Sequence, residues 1–211
     1  MNPLKSIGGT IISGIVLAVI LVVVTKGMHL TMSPELSVIL MLHVLAGITW
    51  IGLLYYFNFV QVPALGDAAS DDGGPGGAGI TKYVAPRALW WFRWSALATW
   101  LTGAIYLLRF GAGPGNALGN LDDAFALGML GDTVNQWAMT IGIGAWLGTI
   151  MLFNVWVLIW PNQKKILGMV EASADEIAKA RSVAFMASRS NTLMSIPLVM
   201  SMVGSHHGFF M

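Results

Sequence analysis

From Leu36 to Gly66 the chain carries no Asp, Glu, Lys or Arg, and the same holds from Ser6 to Thr25 and from Thr133 to Gln163. Such stretches match the roughly 20 mostly apolar residues that carry a helix across a bilayer. Inside a bilayer each backbone N–H and C=O must be paired within the chain, so these stretches are committed to helix. Composition agrees. Of 211 residues, 56% are apolar and 10% are charged, against about 25% charged in soluble domains, and mean hydropathy is +0.72. An ordinary soluble domain, a disordered chain and a nucleic-acid binder are excluded. A net charge of +1 gives no global field toward an acidic partner. The absence of cysteine removes disulfides, thiolate metal sites, c-type haem attachment and cysteine nucleophiles together.

The expected fold is all-α: a polytopic integral membrane bundle forming one transmembrane domain over 1–211. Five spans are expected, at about 8–24, 36–62, 86–108, 134–160 and 183–204. The first is read as a retained span and not as a signal peptide. Between spans, residues 66–79 are Gly- and Asp-rich and read as a solvated loop. Residues 124–130 read as a short interfacial helix. Ser173 and Glu176 have the spacing of a capping box that opens the last helix. Gly144 and Gly148 form a small-residue face suited to close helix packing.

Basic residues set orientation. Lys5, Lys82, Arg87, Arg93, Lys164, Lys165, Lys179, Arg181 and Arg189 fall on one side of a five-span arrangement, while Lys26 and Arg109 fall on the other. The N-terminus is therefore expected in the cytoplasm and the C-terminus outside. All Asp and Glu lie in loops or at span edges, which argues against a transporter with an acidic proton relay.

Ionisable groups inside a membrane are costly and mark a function or a partner. His43 lies within the second span, and His206 and His207 close the fifth. With the two spans antiparallel, the three histidines share a depth near the outer face. Imidazoles facing each other from two helices suit haem iron, and they also suit copper. Gly47, one turn from His43, would leave room for a flat ring, and Trp50 could pack on its edge. The candidate cofactor ligands are thus His43, His206 and His207, with Gly47 and Trp50 beside them. His29 is expected in a solvated outer loop. The competing reading makes these histidines ordinary partners of neighbouring helices, in a cofactor-free accessory subunit. A second polar cluster, Asn58, Gln61, Arg87, Arg93, Asn154, Arg189 and Asn191, is expected toward the cytoplasmic side. There it could hold an anion, a haem propionate or a substrate.

Four ordered strings carry a family resemblance: HVLAGITWIGLLYYFNFVQVP from His43, PRALWWFRW from Pro86, NVWVLIWPNQKKILG from Asn154 and SRSNTLMSIPLVMSMVGSHH from Ser188. Together they resemble the membrane domain of bacterial cytochrome c-type urate oxidases. The resemblance implies a multi-pass protein of the bacterial inner membrane that binds haem b and passes electrons outward to cytochrome c. His43 and a histidine of the last string would be its functional histidines. It implies a urate oxidase-like oxidoreductase. Family members also carry a cytochrome c domain with a Cys-x-x-Cys-His site. This chain has no cysteine, so the expected acceptor is a separate cytochrome c or another respiratory subunit. A homo-oligomer is compatible with the sequence, and a copper-binding membrane protein is the alternative on the cofactor side.

Overall fold

The computed structural model describes residues 2–24, 33–111, 113 and 117–208, without the side chain of His206. The described residues are mostly helical, joined by turns and loops, with no β-strand among them. By contact the chain falls into two compact units, Met1–Ser37 and Val38–Met211, each described by itself.

In the first unit a 3-10 turn, Pro3–Lys5, is capped by the Asn2 side chain, which accepts the Leu4 N–H at 2.9 Å. Helix α1 follows at Ile7–Val24 and buries none of its residues. A helix apolar on every side gains nothing from a one-sided core and suits an apolar solvent.

Helix α2 (Pro34–Tyr56) starts with Pro34 at a position where its missing N–H costs nothing. The second unit continues with α3 (Val62–Ser70), α4 (Ala85–Arg109), the short α5 (Leu121–Phe125), α6 (Gln136–Phe153), α7 (Trp160–Ile166) and α8 (Ala174–His207). Three π-helical turns join or open these helices, at Phe57–Gln61, Ile80–Val84 and Asn154–Ile159. Each is followed by a proline two residues beyond its end: Pro63, Pro86 and Pro161. Proline has no N–H to give, and its ring collides with the carbonyl four residues earlier. Those carbonyls belong to Phe59, Lys82 and Val157, all inside the widened turns. The π turn lets the helix absorb the proline and continue. In consequence α2 and α3 form one helix over Pro34–Ser70, and α6 and α7 one over Gln136–Ile166.

Among the described residues three helices are long and apolar enough to cross a membrane: Ile7–Val24, Pro34–Ser70 and Gln136–Ile166. They correspond to the first, second and fourth expected spans. Helices α4 and α8 have the length but are less apolar. Helix α4 carries Arg87, Arg93 and Arg109 in its 25 residues. Helix α8 runs for 34 residues, about 51 Å at 1.5 Å per residue. Its charges lie between Asp175 and Arg189.

Helix α8 begins where the sequence pattern places it. Ser173 Oγ accepts the Glu176 N–H at 3.3 Å, and Glu176 Oε2 accepts the Ser173 N–H at 2.9 Å. It ends at Gly208, whose φ of +83° suits a residue without a side chain. The short helix α5 lies slightly before the stretch 124–130.

The core sits where α2, α4, α6 and α8 meet. Trp50, Leu54, Phe92, Met151 and Val155 are buried there, and Phe57 meets Phe92 edge-on at 5.4 Å. Buried amides tie the helices across it. Asn58 Nδ2 donates to Leu54 O at 2.9 Å and to Ser188 Oγ at 2.8 Å. Asn154 Nδ2 donates to Asn191 Oδ1 at 2.8 Å, and Asn191 Nδ2 donates to Met151 O at 3.1 Å. Gly144 brings α6 against α8 as expected of a small-residue face. A Cβ there would collide with Ser201 Oγ and with Met202 Cε, 2.6 Å away. The outside of the unit is apolar, with Ile48, Phe59, Leu193 and Ile196 all more than half exposed, which suits lipid better than water.

Candidate functional site

Two cavities lie one beyond the other along α2. The outer one has a volume of about 690 Å³ and takes its α2 wall from Leu40 to Tyr55. The inner one, of about 710 Å³, begins at Phe57. Leu54, fully buried, stands on α2 between the two walls.

His43, Gly47 and Trp50 all line the outer cavity, and so does His207 from the end of α8. These are the residues the sequence singles out as a ligand cluster. His206 lies in α8 with its side chain outside the described part, and His29 lies outside the described residues.

The setting of His43 is the most specific feature of the site. Its Nδ1 lies 2.8 Å from the Thr99 carbonyl oxygen. A carbonyl only accepts, so Nδ1 carries the proton and Nε2 keeps its lone pair. Thr102 Oγ1 shares that carbonyl, donating to Thr99 O at 3.1 Å as well as to Ala98 O, and Thr99 Oγ1 donates to Ser95 O. The ring lies against α4 at Gly103. A Cβ on Gly103 would stand 2.8 Å from His43 Cε1 and 3.1 Å from Nδ1, so only glycine leaves this slot open. Gly47 differs. A Cβ there would meet only Thr99 Cγ2, at 3.7 Å, so its missing side chain adds free space to the cavity.

Trp50 is 2% exposed, and its indole Nε1 has no hydrogen-bond partner. A buried unpaired N–H costs on the order of 1–3 kcal/mol. At a cavity wall it is a donor left for a ligand's acceptor. By contrast, the Trp100 N–H is satisfied by Thr149 Oγ1 at 2.9 Å. Tyr55 donates to Ser195 Oγ at 3.0 Å, since the Ser195 hydroxyl is itself committed to Thr192 O. The rest of the wall is almost wholly apolar, and it includes neither Lys nor Arg.

The second polar cluster does not assemble as one site. Arg93 stacks on Trp160, its guanidinium carbon 3.6 Å from the ring centre. Arg87 donates to Tyr83 O on its own helix. Arg189 lies over Phe185 at 5.1 Å, and Asn154 is held in the amide pair with Asn191. Of the seven, Asn58 and Gln61 line the inner cavity. Sequence reasoning missed Thr99 and Gly103. Thr99 acts through its backbone, which carries no side-chain signature. Gly103 reads as ordinary helix packing until the imidazole is seen beside it.

The fold and site thus define a helical protein with helices long and apolar enough to cross a membrane and a histidine-bearing apolar cavity. Among the described residues no three His, Cys, Asp or Glu gather into a metal-binding group. Residues 126–211 match the family model described as urate oxidase N-terminal. That segment contains the third and fourth resembling strings and His207, so over it the chain is urate oxidase N-terminal-like. His43 lies outside the matched segment. No curated protein and no solved structure matches the chain.

Proposed function

We propose that this chain is a haem b-binding redox domain of the urate oxidase membrane-domain type, with His43 and a histidine of the 206–207 pair as axial ligands. One observation carries the reading. His43 is fixed by the Thr99 carbonyl with Nε2 unprotonated, on the wall of an apolar cavity that His207 also lines. Ligating histidines usually give their other N–H to a carbonyl or carboxylate, which fixes the tautomer and raises ring basicity. The residues present fit a flat macrocycle. Gly47 thins the wall, the lining is apolar, and the Trp50 N–H has no partner among the described residues.

Bound haem would supply one-electron chemistry at iron. The chain's own residues hold the imidazole, keep water out and leave the Trp50 donor for an acceptor group. In this reading all five long helices span the bacterial inner membrane, with the N-terminus inside and the C-terminus outside, as the basic residues favour. Electrons leave on the outer side to a separate cytochrome c or another respiratory subunit. Any oxidation of a urate-like substrate proceeds with that separate acceptor.

The test is the dithionite-reduced minus oxidised visible spectrum of the detergent-purified protein, beside His43→Ala, His206→Ala and His207→Ala. A sharp b-type α-band is expected, absent from His43→Ala and from one of the other two. A flat spectrum in folded, haem-supplied protein would refute the reading and leave a cofactor-free subunit. Stoichiometric copper without the band would favour the copper alternative.

A further inference from the structure

The inner cavity is separate chemistry. Gln61, in the first π turn, is 8% exposed and lines this cavity, and its Oε1 has no hydrogen-bond partner. The neighbouring amide, Asn58, spends both its N–H groups on Leu54 O and Ser188 Oγ. Ser188 Oγ accepts there and is half-buried, and its own hydroxyl hydrogen is available to donate. The wall therefore presents a buried acceptor and a half-buried hydroxyl beside the rings of Phe57 and Phe92. Thr81, Gln163, Arg181 and Ser182 also line it, most of the rest is aliphatic, and Val62 and Phe185 are 40% and 42% exposed on the apolar surface. A ligand matching this wall has a flat ring with one hydroxyl donor and one acceptor, and an apolar tail that leaves toward lipid. No carboxylate lines the cavity to hold a cation.

We propose that the inner cavity is a binding site for a membrane-dissolved quinol, with the ring hydroxyl donating to Gln61 Oε1. The site requires the reduced form. A quinone carbonyl accepts only and leaves Oε1 unpaired. Gln61→Leu keeps the volume and removes the acceptor. The assignment stands on the inner cavity alone and is independent of the haem reading.

The experiment is anaerobic titration calorimetry of the full chain in detergent with decyl-ubiquinol, decyl-ubiquinone and untailed hydroquinone, in the parent, Gln61→Leu and His43→Ala. Decyl-ubiquinol is expected to bind at least tenfold more tightly than decyl-ubiquinone. Gln61→Leu is expected to lose that preference, and His43→Ala to keep it. Untailed hydroquinone is expected to bind at least tenfold more weakly than decyl-ubiquinol. Equal affinity for the untailed ring would overturn a membrane source, and no quinol binding in the parent would overturn the site. The melting temperature of unliganded Gln61→Leu is expected to equal or exceed the parent's, because an unpaired buried polar atom becomes apolar. A fall would mean that Oε1 has a partner within the chain, which also overturns the proposal.

Discussion

Gly103→Ala probes the histidine slot directly. The added methyl would start 2.8 Å from His43 Cε1 and 3.1 Å from Nδ1, against the roughly 3.5–4.0 Å of an unstrained carbon contact. The imidazole must move by about 0.7 Å or more to restore that distance. It cannot do so freely, because Nδ1 is tied at 2.8 Å to the Thr99 carbonyl on the same helix. Overpacking of this kind costs about 1–3 kcal/mol. Replacing glycine by alanine within a helix returns about 0.5–1 kcal/mol. The net expectation is a loss of about 0–2 kcal/mol in stability. The effect on a ligand held by His43 is expected to be larger, since perturbing the groups that orient a ligating histidine costs about 10–100-fold in affinity. The control is Gly14→Ala in α1, where an added Cβ meets nothing within 4 Å and which lines neither cavity. The assays are thermal unfolding in detergent and haem retained per chain, read from the α-band during competition with apomyoglobin. Gly103→Ala should retain haem at least tenfold less well than the parent, while Gly14→Ala should match it. Unchanged retention and spectrum in folded Gly103→Ala would refute the argument that this glycine positions His43.

Three further outcomes follow from other contacts. Asn191→Ala strands the Asn154 side-chain amide in the core, while the Met151 carbonyl keeps the Asn154 backbone N–H. It should cost about 1–3 kcal/mol in chemical or thermal unfolding, the cost of one buried group left unpaired. Arg93→Lys gives up a planar stack on Trp160, and should lower stability by about 0.5–2 kcal/mol even though the charge is kept. Glu176 is held below its usual carboxylate range, first by the Ser173 backbone N–H and then by Lys165. A depressed folded pKa stabilises above the unfolded value and loses that contribution as pH falls. The start of α8 should therefore fray below pH 4.5, the ordinary value. Hydrogen exchange of the first turn of α8 should show this, and Glu176→Gln should abolish the dependence.

Much of this architecture is written in local sequence. Uninterrupted apolar runs commit a chain to helix, because lipid leaves no other way to pair a backbone. The Ser173–Glu176 box, the Gly144 packing face and the stop at Gly208 are equally local, since each rests on a few neighbouring residues. Of the histidines that the sequence singles out, His43 and His207 both line the outer cavity.

Other features exist only between helices. The π turns before Pro63, Pro86 and Pro161 show why a proline need not end a helix, and a pattern reading treats them as mere flanks. The arginines of the second cluster were grouped by depth alone. Side-chain reach then sent Arg93 to Trp160 and Arg87 to Tyr83 O. The tautomer of His43 depends on a carbonyl 56 residues away, and the slot for its ring depends on Gly103. Sequence by itself determined that this chain is a set of apolar helices with histidines near one end, because hydrophobicity and helical period are properties of single segments. Tertiary structure alone decided which nitrogen of His43 is free, which buried groups stay unpaired, and that two cavities lie in series. Each of these depends on the distance between atoms of different helices, which no single segment encodes.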